Sequence, residues 1–540
     1  MLALCALTAV SFAGGLRAVG QANAEASQEI QNAGKERIVL VLPFDNRTNQ
    51  PSLEWIREAA ASVLSSRFAS GGFAPMSRAD RMYALDHLGL PEGFQPSRAS
   101  ALKLAQTLDA DSIIVGSYST EGTNLVVEGR VVDVAHLRMS EPVQASGDMR
   151  NLIDVLNSLA WKLARVIDPG FSIAQETFIA AGRGVRLDAF EQYIRGVAEP
   201  DHDERLRHLK QAVALNPNFG AAWMALGRED YAGQQYEDAA AAFAKVSRNE
   251  PDALEAAFYR GLSLLFSGQY PQAESAFRGV AAVLPLAEVS NNEGVAVSRE
   301  GKDGSPQFVA AAAADPNQAD YHFNLAVSLK RKAQTTAALN ELNQCLKLRP
   351  NDSEAQDLLR DWREPAGAPH NGADQDADAT AKQDPLERIA RTFDAVAFRQ
   401  AAGMMDQLES ARLAQLEPHQ RAVTLAGHGK DYLDRGLLLE AERQYQLAVA
   451  ADGSVADAHA GLAEVRERSG DSGSARREAQ RSLELKPSSQ AYLVLGQIDL
   501  AEGHLDEAGK EAAQAMQLDP GSRSAQDLSR QITSKAGKTQ

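Results

Sequence analysis

At 540 residues the chain is too long for a single hydrophobic core and predicts three or four domains. Its 72 acidic and 55 basic side chains leave a net charge of −17, which argues against nucleic acid as a partner, because phosphate binding needs clustered cations to displace counterions. Two cysteines, Cys5 and Cys345, exclude a disulfide framework and any paired-cysteine metal site.

Residues 1–24 begin MLALCALTAVSFAGG, an apolar run shorter than the ~20 residues that span a bilayer. Ala22-Asn23-Ala24 offers the small-x-small pattern of a signal-peptidase site, so this segment reads as a signal peptide and predicts a periplasmic or envelope location. No Lys or Arg precedes the run. An uncleaved anchor giving membrane association, or a cytoplasmic location, are the alternatives.

Residues 37–168 mix strand and helix periods and predict an α+β domain, a mixed sheet with helices. RIVLVLPF reads as a strand of the fully buried kind. The turn after it, FDNRTNQ, contains no glycine, so backbone N–H groups cannot converge on a phosphate. Asp45 and Asn46 are instead expected to bond the turn backbone and cap the approach to a helix. Helices follow at SLEWIREAAASVLSSRFAS, at SRADRMYALDHLGL behind Ser77, and at SRASALKLAQTLDA behind Ser97. DSIIVGSYST and NLVVEGRVVDV form a hairpin through Glu121-Gly122-Thr123, RMSEPVQASG is a third strand, and LIDVLNSLAWKLARVI closes the domain as a helix. This order, with Leu42-Pro43-Phe44-Asp45-Asn46 after the first strand and Ile114-Val115-Gly116-Ser117-Tyr118 in the later one, resembles the TolB amino-terminal and FlgO-like domains. The resemblance implies a non-catalytic, protein-contacting domain of bacterial envelope or regulatory proteins.

Residues 188–362 carry an internal repeat. Gly227 pairs with Gly261, Tyr236 with Tyr270, Ala239 with Ala273, Phe243 with Phe277 and Val246 with Val280, each 34 residues apart. The small residues allow two antiparallel helices to cross closely, the aromatic is expected to fill the gap to the next repeat, and Pro251 and Pro285 end the second helix of each unit. Pro217 and Pro350 extend the phase, a degenerate helical unit lies between Pro285 and Pro316, and the helix at residues 353–362 caps the array. These marks resemble the tetratricopeptide repeat, and imply an all-α solenoid. Residues 363–385, rich in Ala, Asp, Gly and Pro, read as a disordered linker. Its Asp374-Gln375-Asp376-Ala377-Asp378 fails as a calcium loop, with Ala379 and Pro385 where Gly and Glu belong. Residues 386–533 predict a second array, opened by a divergent helical segment over 386–417. Gly436, Gly470 and Gly503 mark its turns, Ala441, Ala475 and Ala508 its close crossings, and Pro487 and Pro520 its unit ends.

Catalytic motifs are missing from the sequence. Gly301-Lys302-Asp303 has Ala296 and an acid where a phosphate loop needs Gly and a hydroxyl, and neither a Gly-x-Ser-x-Gly elbow nor a His-Glu-x-x-His pair occurs. A non-enzyme without a cofactor or metal is expected. In the repeat family the first helix of each unit lines a concave groove. Carried onto this sequence, that places Met224, Arg228, Tyr231, Phe258, Leu262, Leu265, Phe323, Val327 and Arg331 toward a ligand, unless the apolar members only pack the inter-helix core. Apolar surface with two guanidinium groups suits an extended or helical peptide bearing an acidic residue. The family's clamp for a C-terminal carboxylate is absent, since Asp320 and Phe323 stand where cations or Asn belong. Lys430, Glu464, Glu467 and Gln497 make the inner face of the second array more polar. The expected role is a protein–protein or protein–peptide scaffold; the alternative is a regulator whose amino-terminal domain senses a small ligand or nucleotide and whose arrays relay its state.

Overall fold

The apolar tetrad Ile-Val-Leu-Val forms β1 (Ile38–Val41), an inner strand of a mixed sheet. The computed structural model describes residues 37–91, 98–181, 184–250, 252–363, 385–393 and 408–539. The expected signal segment, the cap at Ser97 and nearly all of the expected linker lie outside them. β1 pairs in parallel with β3 (Ala74–Pro75) and β4 (Ser112–Glu121). β4 pairs antiparallel with β5 (Asn124–Asp133), and β5 with β6 (Arg138–Met139) and β7 (Val143–Asp148). The expected single strand RMSEPVQASG is therefore two short ones separated around Pro142, which cannot donate to a ladder.

Helices cover both faces of the sheet. α2 (Arg78–His87), with its Ser77–Asp80 capping box, and α3 (Arg98–Thr107) enclose Leu40, Leu42, Ile113 and Val132. α4 (Leu152–Ile167) lies against β5 and β7, where Leu163 packs at Gly129 and Val155 at Gly147, and also meets α1 (Ile56–Ser70).

The glycine-free turn after β1 is a structural joint. Asp45–Asn46 forms β2, an unexpected two-residue strand beside Ser117 and Tyr118 of β4. Asn46 Oδ1 accepts from the Thr48 N–H (2.9 Å) and hydroxyl (2.6 Å), while its Nδ2 donates to Gln50 O and Glu54. Below it the fully buried Phe44 ring occupies the space where Gly116 lacks a side chain; a Cβ there would come within 2.2 Å of Phe44 and 2.5 Å of the Glu128 carbonyl. Gly116→Ala is therefore expected to cost about 3 kcal/mol through overpacking, read as a lower midpoint in urea denaturation of the full chain.

Two units divide the chain: Met1–Ile194 with Gln407–Gln540, and Arg195–Asp406. The second array thus belongs with the amino-terminal domain. After α4 the chain forms α5 (Gln175–Ala180), which packs on the array helices α17 (Leu438–Ala451) and α18 (Ala456–Ser469). α16 (Pro418–Asp434) precedes them, and α19 (Ser472–Leu485), α20 (Ser489–Glu502), α21 (Leu505–Leu518) and α22 (Arg523–Thr539) complete the array. Ala441, Ala475 and Ala508 are fully buried at the crossings. Gly436, Gly470 and Gly503 take φ of 78°, 93° and 89°, the left-handed turn that ends the first helix of each pair.

In the other unit the helix at His202–Leu215, which follows the helix Leu187–Ala198, is succeeded by the helix pairs α6/α7 (Gly220–Ala232, Tyr236–Phe243), α8/α9 (Ala253–Phe266, Tyr270–Ala281), α10/α11 (Ala287–Arg299, Ser305–Ala314) and α12/α13 (Ala319–Arg331, Thr335–Leu348). α14 (Ser353–Arg363) closes the array. The recurring aromatic fills its own repeat first: Phe243, Phe277 and Phe308 lie where a Cβ on Gly227, Gly261 or Gly294 would sit at 2.7–2.8 Å. Phe243 then reaches the next repeat, stacking on Tyr259 with centroids 5.8 Å apart.

Candidate functional site

Asn291 and Asn292 lie inside α10 and Asn324 inside α12, all with no exposed surface. Asparagine is a poor residue for a helix interior, and a buried amide is costly unless bonded. Their partners come from residues 385–393 of the same unit, Pro385-Leu386-Glu387-Arg388-Ile389-Ala390-Arg391-Thr392-Phe393, which lie along these helices. Asn324 accepts from the Arg388 N–H and donates to its carbonyl, both at 2.7 Å. Asn292 does the same for Ala390 at 2.9 and 2.8 Å, and Asn291 adds a bond to the Arg388 carbonyl at 3.1 Å. Alternate residues thus present both backbone groups to one side, as a strand does to its neighbour.

Charges fix the side chains. Glu387, with 1% of its side chain exposed, is bonded by Ser298, Arg331 and, at 3.2 Å, Arg299. Arg331 also donates to the Pro385 carbonyl at 2.9 Å. One residue on, Arg388 makes a two-pronged bond to Asp352 (2.6 and 2.9 Å), reaches Asp320 and Glu354 at 2.9 Å each, and lies over the Phe323 ring 3.6 Å from its centroid. Ile389 and Phe393 pack into the apolar cluster of the array, with Phe393 5.4 Å from Phe258 between centroids. Leu386, Arg391 and Thr392 face outward.

Of the residues singled out in the sequence, Phe258, Phe323 and Arg331 touch this segment. Met224, Leu262, Leu265 and Val327 are at most 3% exposed, within the array's packing. Arg228 pairs with Glu255 at 2.6 Å, and the half-buried Tyr231 meets Tyr259 and Tyr236 edge-on. Asn291, Asn292, Asn324, Ser298, Arg299 and Asp352 were missed. A signal existed: Asn291 to Asn324 and Ser298 to Arg331 are both 33 residues apart, polar positions recurring at nearly one repeat. Asp320 and Phe323, in place of the carboxylate clamp, receive a cation.

The expectation of a helix over 386–417 opening the second array fails at its start. Leu386, Ile389 and Phe393 have helical spacing, but residues 385–393 are not helical and group with the first array, because the groove takes up their backbone groups and both charges. Among the described residues, helix resumes with α15 (408–414).

Burial pushes the Glu387 carboxyl upward, but the bonds from Ser298 and Arg331 outweigh it and hold the group below its ordinary 4.5. The Arg388 hydrogen bond likewise holds Asp352 low. Both folded values lie under the unfolded ones, so the stabilisation is complete above the unfolded values and is lost as pH falls through the folded ones. Hydrogen-exchange protection factors at the Arg388 and Ala390 amides are expected to stay constant from about pH 8 to 5 and to collapse below about 4.

In the other unit, Glu442 of α17 has no exposed surface and joins the amino-terminal domain to the second array. It accepts from the Ala174 N–H (3.0 Å), the Thr177 hydroxyl, Gln446 (2.8 Å) and Arg466 (2.8 and 3.1 Å). Lys430 pairs with Asp434 at 2.6 Å and Glu464 accepts from Gln490 at 2.6 Å, so two polar residues of that array's inner face are engaged within the array. Asp499, Glu502 and His504 lie close enough to share a metal ion, yet Arg476 already holds Asp499 at 2.7 Å and Glu502 at 2.9 Å.

Residues 224–287, 427–490 and 465–523 match one family model described as tetratricopeptide repeat, and 319–352 match another. No curated protein matches the chain. Among solved structures, YrrB, described as a TPR protein with an unusual peptide-binding site, is 18% identical, with 38% of this chain and 99% of that one covered and a TM-score of 0.29. MamA from Desulfovibrio magneticus RS-1 is 22% identical over 34% and 99% of the two chains, with a TM-score of 0.27. The C-terminal domain of LpoB from Escherichia coli is 19% identical over 21% and 83%, with a TM-score of 0.18.

Proposed function

We propose, from the premise that the chain is a tetratricopeptide-repeat protein, that it is a non-catalytic scaffold of a bacterial envelope or regulatory complex. The first array binds proteins through extended peptide segments, and the amino-terminal domain, similar to TolB amino-terminal and FlgO-like domains, docks to the complex. The observation that carries this reading is the buried asparagine set bonded to the backbone of residues 388 and 390. Side-chain amides that read N–H and C=O groups recognise a peptide as such, and the flanking charges add sequence preference. Three or four repeats offer the ~1,200–2,000 Å² of a standard interface.

The test is affinity capture from envelope extracts with the full chain and with its Asn292→Ala/Asn324→Ala variant. Loss of a defined partner set from the variant is expected; identical partners on both would refute a role for the groove. A reporter fused to residues 1–36 should be exported if the chain acts in the envelope, and retention inside the cell would favour the cytoplasmic alternative.

A second reading is favoured by the buried Glu442 joint, which links the α5 segment following the amino-terminal domain to array helices. That domain would bind a small ligand and the array would relay its state. Isothermal titration of the full chain with nucleotides separates the two, since saturable binding supports the sensor.

A further inference from the structure

The groove of the first array makes demands that only one kind of occupant meets. Asn291, Asn292 and Asn324 have no exposed surface; Asn291 accepts from Asn324 at 2.8 Å and donates to Asn292 at 3.2 Å, and the remaining capacity of Asn292 and Asn324 is taken up by backbone groups from outside their own helices. Arg299 and Arg331 stand together around the carboxylate, and Asp320, Asp352 and Glu354, with Arg349 beside the first two, converge on the guanidinium. The apolar cluster around Phe258 accepts an aromatic ring.

Residues 385–393 satisfy all of these demands while keeping one side of the segment outward. Leu386 is 61% exposed, Arg391 and Thr392 are exposed, and the segment is held by hydrogen bonds and ion pairs beside the apolar contacts of Ile389 and Phe393. It follows the closing helix α14 after only residues 364–384, so it is a peptide presented to its own groove at high effective concentration, on the order of millimolar.

Resting on the scaffold reading above, we infer that the first groove is a receptor for an extended partner peptide with consecutive Glu and Arg and a Phe five residues after the Arg, and that residues 385–393 are its tethered competitor. The partner must displace the segment, so the native chain binds weakly until the partner is abundant or the segment is weakened. Backbone reading by the asparagines tolerates many sequences, whereas the acid-then-base order selects among them.

The test uses the full chain and a fluorescein-labelled synthetic peptide of residues 384–393, followed by fluorescence anisotropy. The Glu387→Ala/Arg388→Ala chain is expected to bind the peptide about tenfold or more tightly than the native chain. Adding Asn324→Ala should abolish that binding, and a peptide with its Glu and Arg exchanged should not bind. Equal affinity of native and double-variant chains, with helical circular dichroism retained, would overturn the proposal. Should the variant fail to fold, the native chain still decides. Millimolar unlabelled peptide is expected to raise hydrogen exchange at the chain's Arg388 and Ala390 amides, and unchanged exchange would overturn the competition. A native chain that dimerises by exchanging segments, with no uptake of free peptide, would also overturn it. Loss of captured partners on Asn292→Ala/Asn324→Ala without peptide uptake removes this inference and leaves the scaffold reading intact; peptide uptake without partner capture does the reverse.

Discussion

Replacing Glu442 by alanine is expected to detach the amino-terminal domain from the second array, at a cost of about 3–5 kcal/mol. Glu442 is fully buried and receives bonds from the Ala174 N–H, the Thr177 hydroxyl, Gln446 and Arg466. Its removal strands two donors from the α5 segment and the guanidinium of Arg466, whose other acidic partner, Asp471, is 3.5 Å away. A lost partner in a buried pair costs far more than the pair contributes, because the remaining charge keeps its desolvation penalty. The check is limited proteolysis: cleavage around residues 168–187 should become rapid, and calorimetry should resolve separate transitions. Glu442→Gln, which keeps an acceptor but loses the charge, should fall between the two. A single unchanged transition in Glu442→Ala would show that apolar contacts alone hold the joint.

The second large effect is expected at Arg388→Ala. Here Asp352, with 5% of its side chain exposed, loses its two-pronged partner, Asp320 and Glu354 lose a shared cation, and the Phe323 ring loses its cover. Arg349 stays on Asp320 at 2.8 Å and 3.6 Å from Asp352, so it offsets part of the acids' repulsion, but the two-pronged bond is gone and residues 385–393 should leave the groove. Because Asp320 and Glu354 are partly exposed and solvent screens them, the cost is placed near 3 kcal/mol, the lower end for a broken buried pair. Read as hydrogen exchange at the Ala390 amide, that is an increase of ~100-fold. Glu387→Ala should act in the same direction, and Arg391→Ala, an outward residue near the Phe266 ring, should change exchange little. If Arg388→Ala leaves Ala390 protected, the asparagines suffice to hold the segment.

The helix pairs were legible because their determinants are local and covalent. A proline beyond the first turn cannot continue a helix, a left-handed turn asks for Gly470 or Gly503, and a close crossing asks for Gly261 or Ala441. The buried strand β1 and the β4–β5 hairpin were legible for similar reasons. β2 was not, because two residues carry no period and their pairing with Ser117 and Tyr118 depends on the Asn46 bonds that close the turn. The groove itself was half legible. Arg331, Phe258 and Phe323 stood out as side chains at inward positions, whereas the segment they meet reads as helix from its own Leu386, Ile389 and Phe393. What overrides that periodicity is a set of amides and acids up to 98 positions away in sequence, and no local pattern reports them.

The order of Glu387 and Arg388 has a consequence for orientation. An asparagine amide that grips both the N–H and the C=O of one residue is nearly indifferent to which way the backbone runs, so the amides alone would admit a peptide laid in reverse. The two charge pockets are not interchangeable: Arg299 and Arg331 lie on one side of the Asn324 grip, and Asp320 with Asp352 takes the guanidinium on the other. A reversed chain would bring like charges together at both places, so the groove accepts its occupant in a single amino-to-carboxyl sense.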